Sequence, residues 1–160
     1  MEGQKLNFTE EVEKQKPLKG VLAYKVYKHV GGERILIEEV IDNNLIVDMA
    51  REQMAHLIAG DTVANRKMAK IGFGLNGNDA VVADEGLLSA FIKNLDGYEF
   101  PVRTQVRFNW SLSISEANGM AIREFGLFML NNALFARRTR NTPLNKESDI
   151  SLEGTWTIIF

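Results

Sequence analysis

The chain has 160 residues, of which 45% are hydrophobic and 25% charged, and its formal net charge is −2. These values fit one globular domain and argue against a chain disordered throughout, a membrane-spanning protein and a surface that binds nucleic acid over its whole extent. The sequence contains no cysteine, which excludes disulfides, thiolate metal sites and cysteine nucleophiles. Residues 1–19 lack the apolar stretch of a secretory signal, so we expect synthesis in a cytoplasm.

The N-terminal part of the chain predicts an arm followed by a β-hairpin. Residues 1–17 carry many charges without periodicity, which is typical of a flexible, charged arm. Two runs rich in β-branched and aromatic residues then flank Gly31 and Gly32. A two-residue glycine connection allows the positive φ angles of a tight turn, so these runs predict two antiparallel strands.

Two helices are predicted in the middle of the chain. Apolar residues recur at helical spacing over about residues 45–59, which predicts an amphipathic helix with Asn43 or Asn44 as its N-cap and Gly60 as its stop. A shorter apolar pattern predicts a second helix over about residues 84–95.

The second half of the chain predicts strands joined by short turns. Apolar and polar residues alternate from Val106 to Ile114, the pattern of a strand with one buried and one solvated face. The run "MAIREFGLFML" is apolar on both faces, as in a more central strand, and "ISLEGTWTIIF" predicts a final strand bent at Gly154. Strands in succession with tight turns favour antiparallel pairing. We therefore predict a mainly β (α+β) fold, an antiparallel β-sandwich with one substantial helix, as a single domain over residues 18–160.

Neither the glycine motif nor the histidines predict a cofactor or metal site. Residues 72–77, GFGLNG, match the dinucleotide fingerprint G-x-G-x-x-G, but turn residues follow where that fingerprint requires a helix. His29 and His56 lack further ligands at the spacing of a metal site. We expect no cofactor and no bound metal.

The acidic residues do not predict a catalytic pair. Glu38, Glu39 and Asp42 lie close together near the end of a strand, and we interpret them as solvated charges. Glu116 and Glu124 flank the turn "EANG", but a glycosidase-like pair would need one cleft with two differently perturbed carboxyl groups, which nothing in the local sequence indicates. We predict no catalytic residues and no enzymatic activity.

A cluster of arginines and the terminal strand are the candidate subunit interface. On a strand, Arg138 and Arg140 share one face and Arg137 lies on the other. The arginines either protect an edge strand from unwanted pairing or form ion pairs with a partner subunit, and contact with nucleic acid is a distant third interpretation. The apolar terminal strand, with Trp156 and Phe160, completes either the core of one subunit or an interface between copies.

The chain from about Asn43 to its end resembles a family of small structural proteins encoded in the tail modules of tailed bacteriophages and prophages. The segments that carry the resemblance are "NNLIVDMAREQMAHLIAGD", "KIGFGLNGNDAVVADEGL", "VRFNWSLSISEANGMAIREFGLF" and "LFARRTRNTPLNKESDISLEGTWTIIF". The similarity is strongest over residues 101–160. Its pattern is typical of tail-fibre, tail-collar and baseplate-associated components.

The resemblance implies a virion protein without enzymatic activity, assembled in the bacterial cytoplasm, that acts in host attachment at the tail tip. Its expected partners are other tail, baseplate and fibre proteins and further copies of itself, as a trimer or a six-fold assembly, without nucleic acid or membrane insertion. The alternative is a receptor- or glycan-binding module of a tail fibre, in which Tyr24, Tyr27 and Tyr98 stack on sugar rings. A weaker third hypothesis is a glycan-cleaving enzyme that depends on Glu116 or Glu124.

Overall fold

The computed structural model describes residues 16–160, so the predicted arm lies outside the described residues except for Lys16 and Pro17. The described part of the chain forms nine strands and one helix. They are β1 (Lys19–Val30), β2 (Glu33–Ile46), α1 (Asp48–Ile58), β3 (Met68–Gly74), β4 (Phe91–Asn94), β5 (Gly97–Glu99), β6 (Gln105–Leu112), β7 (Ala121–Met129), β8 (Leu134–Asn145) and β9 (Ile150–Ile159). No helix within residues 16–160 has the length and hydropathy that a bilayer span requires.

The strands form one antiparallel sheet in the order β4-β3-β7-β8-β2-β1-β9-β6-β5. The sheet curls into a half-barrel, and the inner faces of its two flanks pack together. The ring centroids of Tyr24 on β1 and Phe125 on β7 are 4.9 Å apart, and those of Trp110 on β6 and Phe73 on β3 are 5.5 Å apart. The mainly β prediction is confirmed. Two separate sheets of a sandwich are not, because β2 pairs with β8 and joins the flanks.

The predicted hairpin is confirmed. β1 and β2 pair along their length, and Gly31 and Gly32 connect them with φ angles of 59° and 83°. Side chains are strained in this left-handed region, which is why glycine occupies both positions. The hairpin is the longest strand pair within residues 16–160.

The first helix begins later than predicted. Asn43 and Asn44 belong to β2, and the helix is preceded by Val47, whose side chain makes no capping hydrogen bond. The amide oxygen of Asn44 instead accepts a 2.8 Å hydrogen bond from the indole N–H of Trp156. A polar side chain that is needed inside the core is not available as a helix cap. Gly60 follows the end of the helix, as predicted, with a φ of 72°.

The predicted second helix over residues 84–95 is wrong. Phe91–Asn94 form β4, which pairs with β3, and the residues before it form a loop that covers the outer face of β3 and β7. Leu87 of this loop packs against Phe128. The apolar spacing that resembles a helix therefore arises from tertiary contacts of a loop and a short strand, which override the local pattern.

The terminal strand is a paired strand of the sheet, as predicted. β9 pairs with β1 on one side and with β6 on the other, and Trp156 is fully buried between Leu22 and Phe108. Gly154 does not interrupt the strand. A Cβ atom at this position would lie 2.4 Å from the Cζ2 atom of Trp110, so the glycine provides space for the indole ring.

Candidate interaction surfaces

Arg137 lies inside the protein, beneath the loop of residues 75–90. Its Nε atom donates to Glu124 Oε2 at 2.7 Å and its Nη1 atom to Asp84 Oδ2 at 2.8 Å. Its Nη2 atom donates to the carbonyl oxygens of Asn76 and Asn78, both at 3.1 Å. Only 1% of Arg137 and none of Glu124 is exposed. The guanidinium group therefore fixes the loop to β7 and β8.

Glu124 contributes to the same loop attachment from β7. Its Oε1 atom accepts hydrogen bonds from the backbone N–H groups of Asn76 at 3.0 Å and Leu88 at 2.7 Å. A Cβ atom at Gly74 would lie 2.4 Å from this oxygen. The close approach of Glu124 thus explains why glycine occupies position 74 of the dinucleotide-like motif. The carboxylate has no exposed surface at which a substrate could bind.

Arg138 and Arg140 bridge a split in the sheet. β2 and β8 pair at only two positions and then diverge. Beyond that point Arg138 forms an ion pair with Asp42, while Arg140 contacts Glu38 at 3.1 Å and the hydroxyl of Tyr24. The two acidic residues, which we interpreted as solvated, are therefore partners of the arginines.

The electrostatics of the split favour a charged arginine and a neutral tyrosine. Burial raises the pKa of the Tyr24 hydroxyl, although the Arg140 charge opposes this effect. Burial alone would lower the pKa of the Arg140 guanidinium, but its interactions with Glu38 and Tyr24 outweigh that effect and raise it. Side-chain ion pairs thus hold β2 near β8 where backbone pairing has ended.

The outer edge of β2 lacks a backbone partner over most of its length, and beyond the ion pairs of Glu38 and Asp42 it is open. Within residues 16–160, residues 33–44 pair with β1 only, because the contact with β8 is confined to the end of the strand. The side chains of Ile35, Leu36 and Ile37 are exposed by about half, and that of Ile41 by 74%. The long hairpin therefore presents unpaired backbone groups together with apolar side chains.

A second apolar surface is a groove of about 840 Å³ between α1 and the ends of β6 and β9. Its lining includes Met54 and Ile58 from α1, Val106 from β6 and Phe160 from the chain end. Ile58 is 88% exposed and Phe160 61% exposed. Large apolar side chains so accessible to water in one place indicate a surface that another segment covers.

The five residues of the predicted subunit interface have different environments. Arg137 and Trp156 are buried inside the chain and have no surface to offer a second copy. Arg138 and Arg140 are partly exposed and form ion pairs with β2. Phe160 lines the apolar groove and is 61% exposed, so it is the most accessible member of this set.

The two histidines lie in separate pairs. The Nε2 atom of His29 is 2.8 Å from the hydroxyl oxygen of Ser151, and the Nδ1 atom of His56 is 2.6 Å from Asp61 Oδ2. Hydrogen bonds from the Val63 backbone and from His56 lower the pKa of Asp61. Within residues 16–160 no three histidine, aspartate or glutamate side chains gather as a metal site would require.

The three tyrosines proposed to stack on sugar rings are not equivalent. Tyr24 and Tyr27 are buried, and the hydroxyl of Tyr27 donates to Glu153 at 2.8 Å. Tyr98 is 67% exposed and its ring lies 5.7 Å from that of Phe100. Of the three tyrosines, therefore, Tyr98 alone is accessible for stacking, together with its neighbour Phe100.

Glu116 belongs to a different cluster from Glu124. It accepts hydrogen bonds from Lys93 Nζ at 2.9 Å and from the backbone N–H of Ser113 at 3.0 Å. Burial tends to raise the pKa of its carboxyl group, but these two donors outweigh burial and lower it. Glu116 and Glu124 therefore do not share a site.

Two buried charged groups were not predicted from the sequence. Glu124 lies on β7, which pairs with the strand of Arg137, but in this register Glu124 is opposite Thr139 and Arg137 is opposite Gly126. Lys146 is also fully buried, donating to Asn118 Oδ1 at 2.7 Å and to the Glu147 carbonyl oxygen at 3.0 Å. Burial lowers the pKa of its ammonium group. No local pattern marks this lysine as buried.

No family model matches the chain, and no curated protein or solved structure is significantly similar to it. Two kinds of observation bear on function. One is the apolar surface at the β2 edge, and the other is the apolar groove; the tail-module family stays a prediction from the sequence.

Proposed function

We propose that the protein is a structural component of a bacteriophage tail tip, a baseplate or tail-fibre attachment protein that acts in host attachment by assembling with neighbouring tail proteins. In this role it has no enzymatic activity, is assembled in the bacterial cytoplasm and resides in the virion tail. The open edge of β2 is the observation that carries the proposal. A strand paired on one side presents backbone donors and acceptors to which a partner strand can add.

The side chains of β2 support docking along this edge. Ile35, Leu36 and Ile37 are three consecutive exposed apolar residues along this edge. Charged residues often protect open edges from pairing. Here Glu38 and Asp42 are held by the arginines of β8, so the part of the edge that is free for an added strand is residues 33–37.

The resemblance to tail-module proteins indicates which partners are relevant. Tail assemblies are built from repeated copies and from a small set of neighbouring proteins, and symmetric assembly reuses the same surface in each copy. We propose that β2 contacts either another copy, in a trimeric or six-fold arrangement, or an adjacent fibre or baseplate protein.

Co-expression with the products of the neighbouring genes tests this proposal. Complexes are isolated and their masses are measured by light scattering, for the wild-type chain, for Ile37→Lys on the β2 edge and for the matched control Val81→Lys. Val81 is likewise about half exposed but lies in the loop over the opposite flank. We expect the wild-type chain and the control to assemble and Ile37→Lys to lose assembly. A wild-type chain that stays monomeric and binds none of these proteins would contradict the proposal.

A second candidate function is the receptor- or glycan-binding module. It is favoured by a depression of about 450 Å³ on the outer face of β1, β9 and β6. Its lining offers carboxylate, amide and hydroxyl groups of the kind that bind sugar hydroxyls, from Asp96, Asn109, Ser111, Glu153 and Thr155. Tyr98 pairs with the inward-facing Phe108, so the accessible aromatic pair lies on the other face of the sheet. A glycan-array measurement with Asn109→Ala as the comparison distinguishes this role from assembly.

A further inference from the structure

We propose that residues 1–15 occupy the apolar groove between α1 and the ends of β6 and β9 of the same chain. The path of the chain brings this segment to the groove. Lys19 pairs with Ile159, and Leu18 packs against the core. The N-terminal residues therefore continue from a point next to Phe160, which lines the groove.

The groove has the properties of a site for apolar side chains. Its lining is dominated by aliphatic and aromatic groups, and three methionines, Met54, Met68 and Met129, contribute to it. Methionine is flexible and polarisable, so it adapts to side chains of different shape. Residues 1–15 contain Leu6, Phe8 and Val12, which supply apolar groups to such a surface.

The charges of the two parts are complementary. Residues 1–15 contain four glutamates and two lysines. The charged residues that line the groove are Asp61, Arg66 and Lys67. Arg66 pairs with Asp61 at 3.4 Å, whereas Lys67 has no carboxylate partner within residues 16–160. The charge left over at the groove is therefore positive, which fits an acidic segment with apolar side chains.

The length of the segment allows the contact within one chain. Fifteen extended residues reach about 50 Å at roughly 3.3–3.6 Å per residue. A domain of this size has a radius of gyration of about 15 Å, so every part of the groove is within reach. Attachment beside the groove gives the segment a millimolar-range effective concentration, which favours the same chain over a second copy in dilute solution.

Disulfide trapping tests the contact, because the chain has no cysteine of its own. Phe8→Cys is combined with Ile58→Cys in the groove or, as the matched control, with Ile41→Cys on the outer face of β2, which is similarly exposed. We expect the groove pair to oxidise at least about tenfold faster than the control pair, with the mass of a single chain. Equal rates, or a product that is mainly a cross-linked dimer, would overturn the proposal.

Binding of the apolar dye bis-ANS provides a second measurement on the isolated full-length chain. Leu6→Asp/Phe8→Asp is compared with Asn7→Asp/Thr9→Asp, which adds the same charge at the interleaved polar positions. We expect several-fold more dye binding for the first variant and none of this increase for the second. Equal dye binding by both variants would also overturn the proposal.

The inference does not rest on the proposed function. Trapping and dye binding use the isolated chain, whereas the proposed function is tested by assembly with other tail proteins through β2. If the chain assembles with tail proteins but the groove disulfide does not form faster than the control, only the inference is contradicted. If the groove disulfide forms faster but the chain does not assemble, only the proposed function is contradicted.

Discussion

Arg137 and Glu124 form an ion pair beneath the loop of residues 75–90, with 2.7 Å between Nε and Oε2 and almost no exposure to solvent. Asp84 completes the arrangement from the loop itself. The pair connects β7, β8 and the loop through hydrogen bonds that leave both charged groups fully engaged. A buried pair of this kind is costly to break, because the remaining charge has no water to solvate it.

Arg137→Met is expected to lower the free energy of unfolding by about 3–5 kcal/mol, since it leaves Glu124 and Asp84 without their cation. The matched control is Arg138→Met, whose ion pair with Asp42 is partly exposed and is worth about 0–1 kcal/mol. Urea denaturation followed by circular dichroism measures both. Equal losses for the two variants would show that the buried ion pairs of Arg137 contribute no more to stability than the partly exposed pair of Arg138.

Gly74→Ala is expected to destabilise the protein by about 1–3 kcal/mol, because the new methyl group would overlap the carboxylate of Glu124. Glu124 cannot move aside without losing its bonds to the loop. Gly86→Ala is the control, since a Cβ atom there meets no atom within 4 Å. Thermal melting should separate the two variants, and a Gly74→Ala protein that melts with the wild type would refute the steric explanation of this glycine.

The dependence of stability on acid pH should reveal Glu116. Its pKa lies below the ordinary value of 4.5, owing to Ser113 and Lys93 acting against burial. The folded state therefore favours the ionised form of Glu116 more than the unfolded chain does. The resulting stabilisation is complete above pH 4.5 and is lost as the pH falls through the folded pKa.

Glu116→Gln is accordingly expected to flatten the loss of stability below pH 4.5. Urea midpoints measured at several pH values give the comparison. Glu85→Gln serves as the control, because Glu85 is exposed and makes no side-chain hydrogen bond within residues 16–160. A Glu116→Gln profile parallel to that of the wild type would contradict the linkage.

Removal of residues 158–160 is expected to prevent folding or assembly. Ile158 is 1% exposed and pairs with Gly20 and Val106 on either side. Loss of a buried isoleucine side chain alone costs about 2–5 kcal/mol, and the truncation also removes hydrogen bonds of the sheet. Phe160→Ala is the milder control, because that side chain is mostly exposed. A truncated chain with unchanged melting and size would refute the prediction.

Local signals in the sequence predicted much of the fold. The alternation from Val106 to Leu112 and the Gly31–Gly32 turn depend on neighbouring residues, so they could be recognised without the structure. The helix was found, but its cap was not, because Asn44 serves Trp156 at a distance of more than a hundred residues in the chain. The loop around Leu87 has the apolar spacing of a helix because its apolar side chains contact β7, which the local sequence does not indicate.

The surroundings of the arginines were predicted only in part. The parity of β8 placed Arg138 and Arg140 together and Arg137 apart, which follows from strand geometry alone. Two features depend on how distant segments meet. The loop that contains Asp84 covers Arg137, and β2 diverges from β8 so that Arg138 and Arg140 lie at the split. Such relations between segments leave no periodic pattern in the sequence.

The position of β9 has a consequence for the kinetics of folding. It lies between β1 and β6, so the first strand of the sheet pairs with the last one, and Gly20 meets Ile158. Contacts between such distant residues raise the contact order, and folds of this kind form in roughly milliseconds to seconds. Until β9 is in place, β1 and β6 each expose an additional edge, so this strand sets how long the folding chain is open to aggregation.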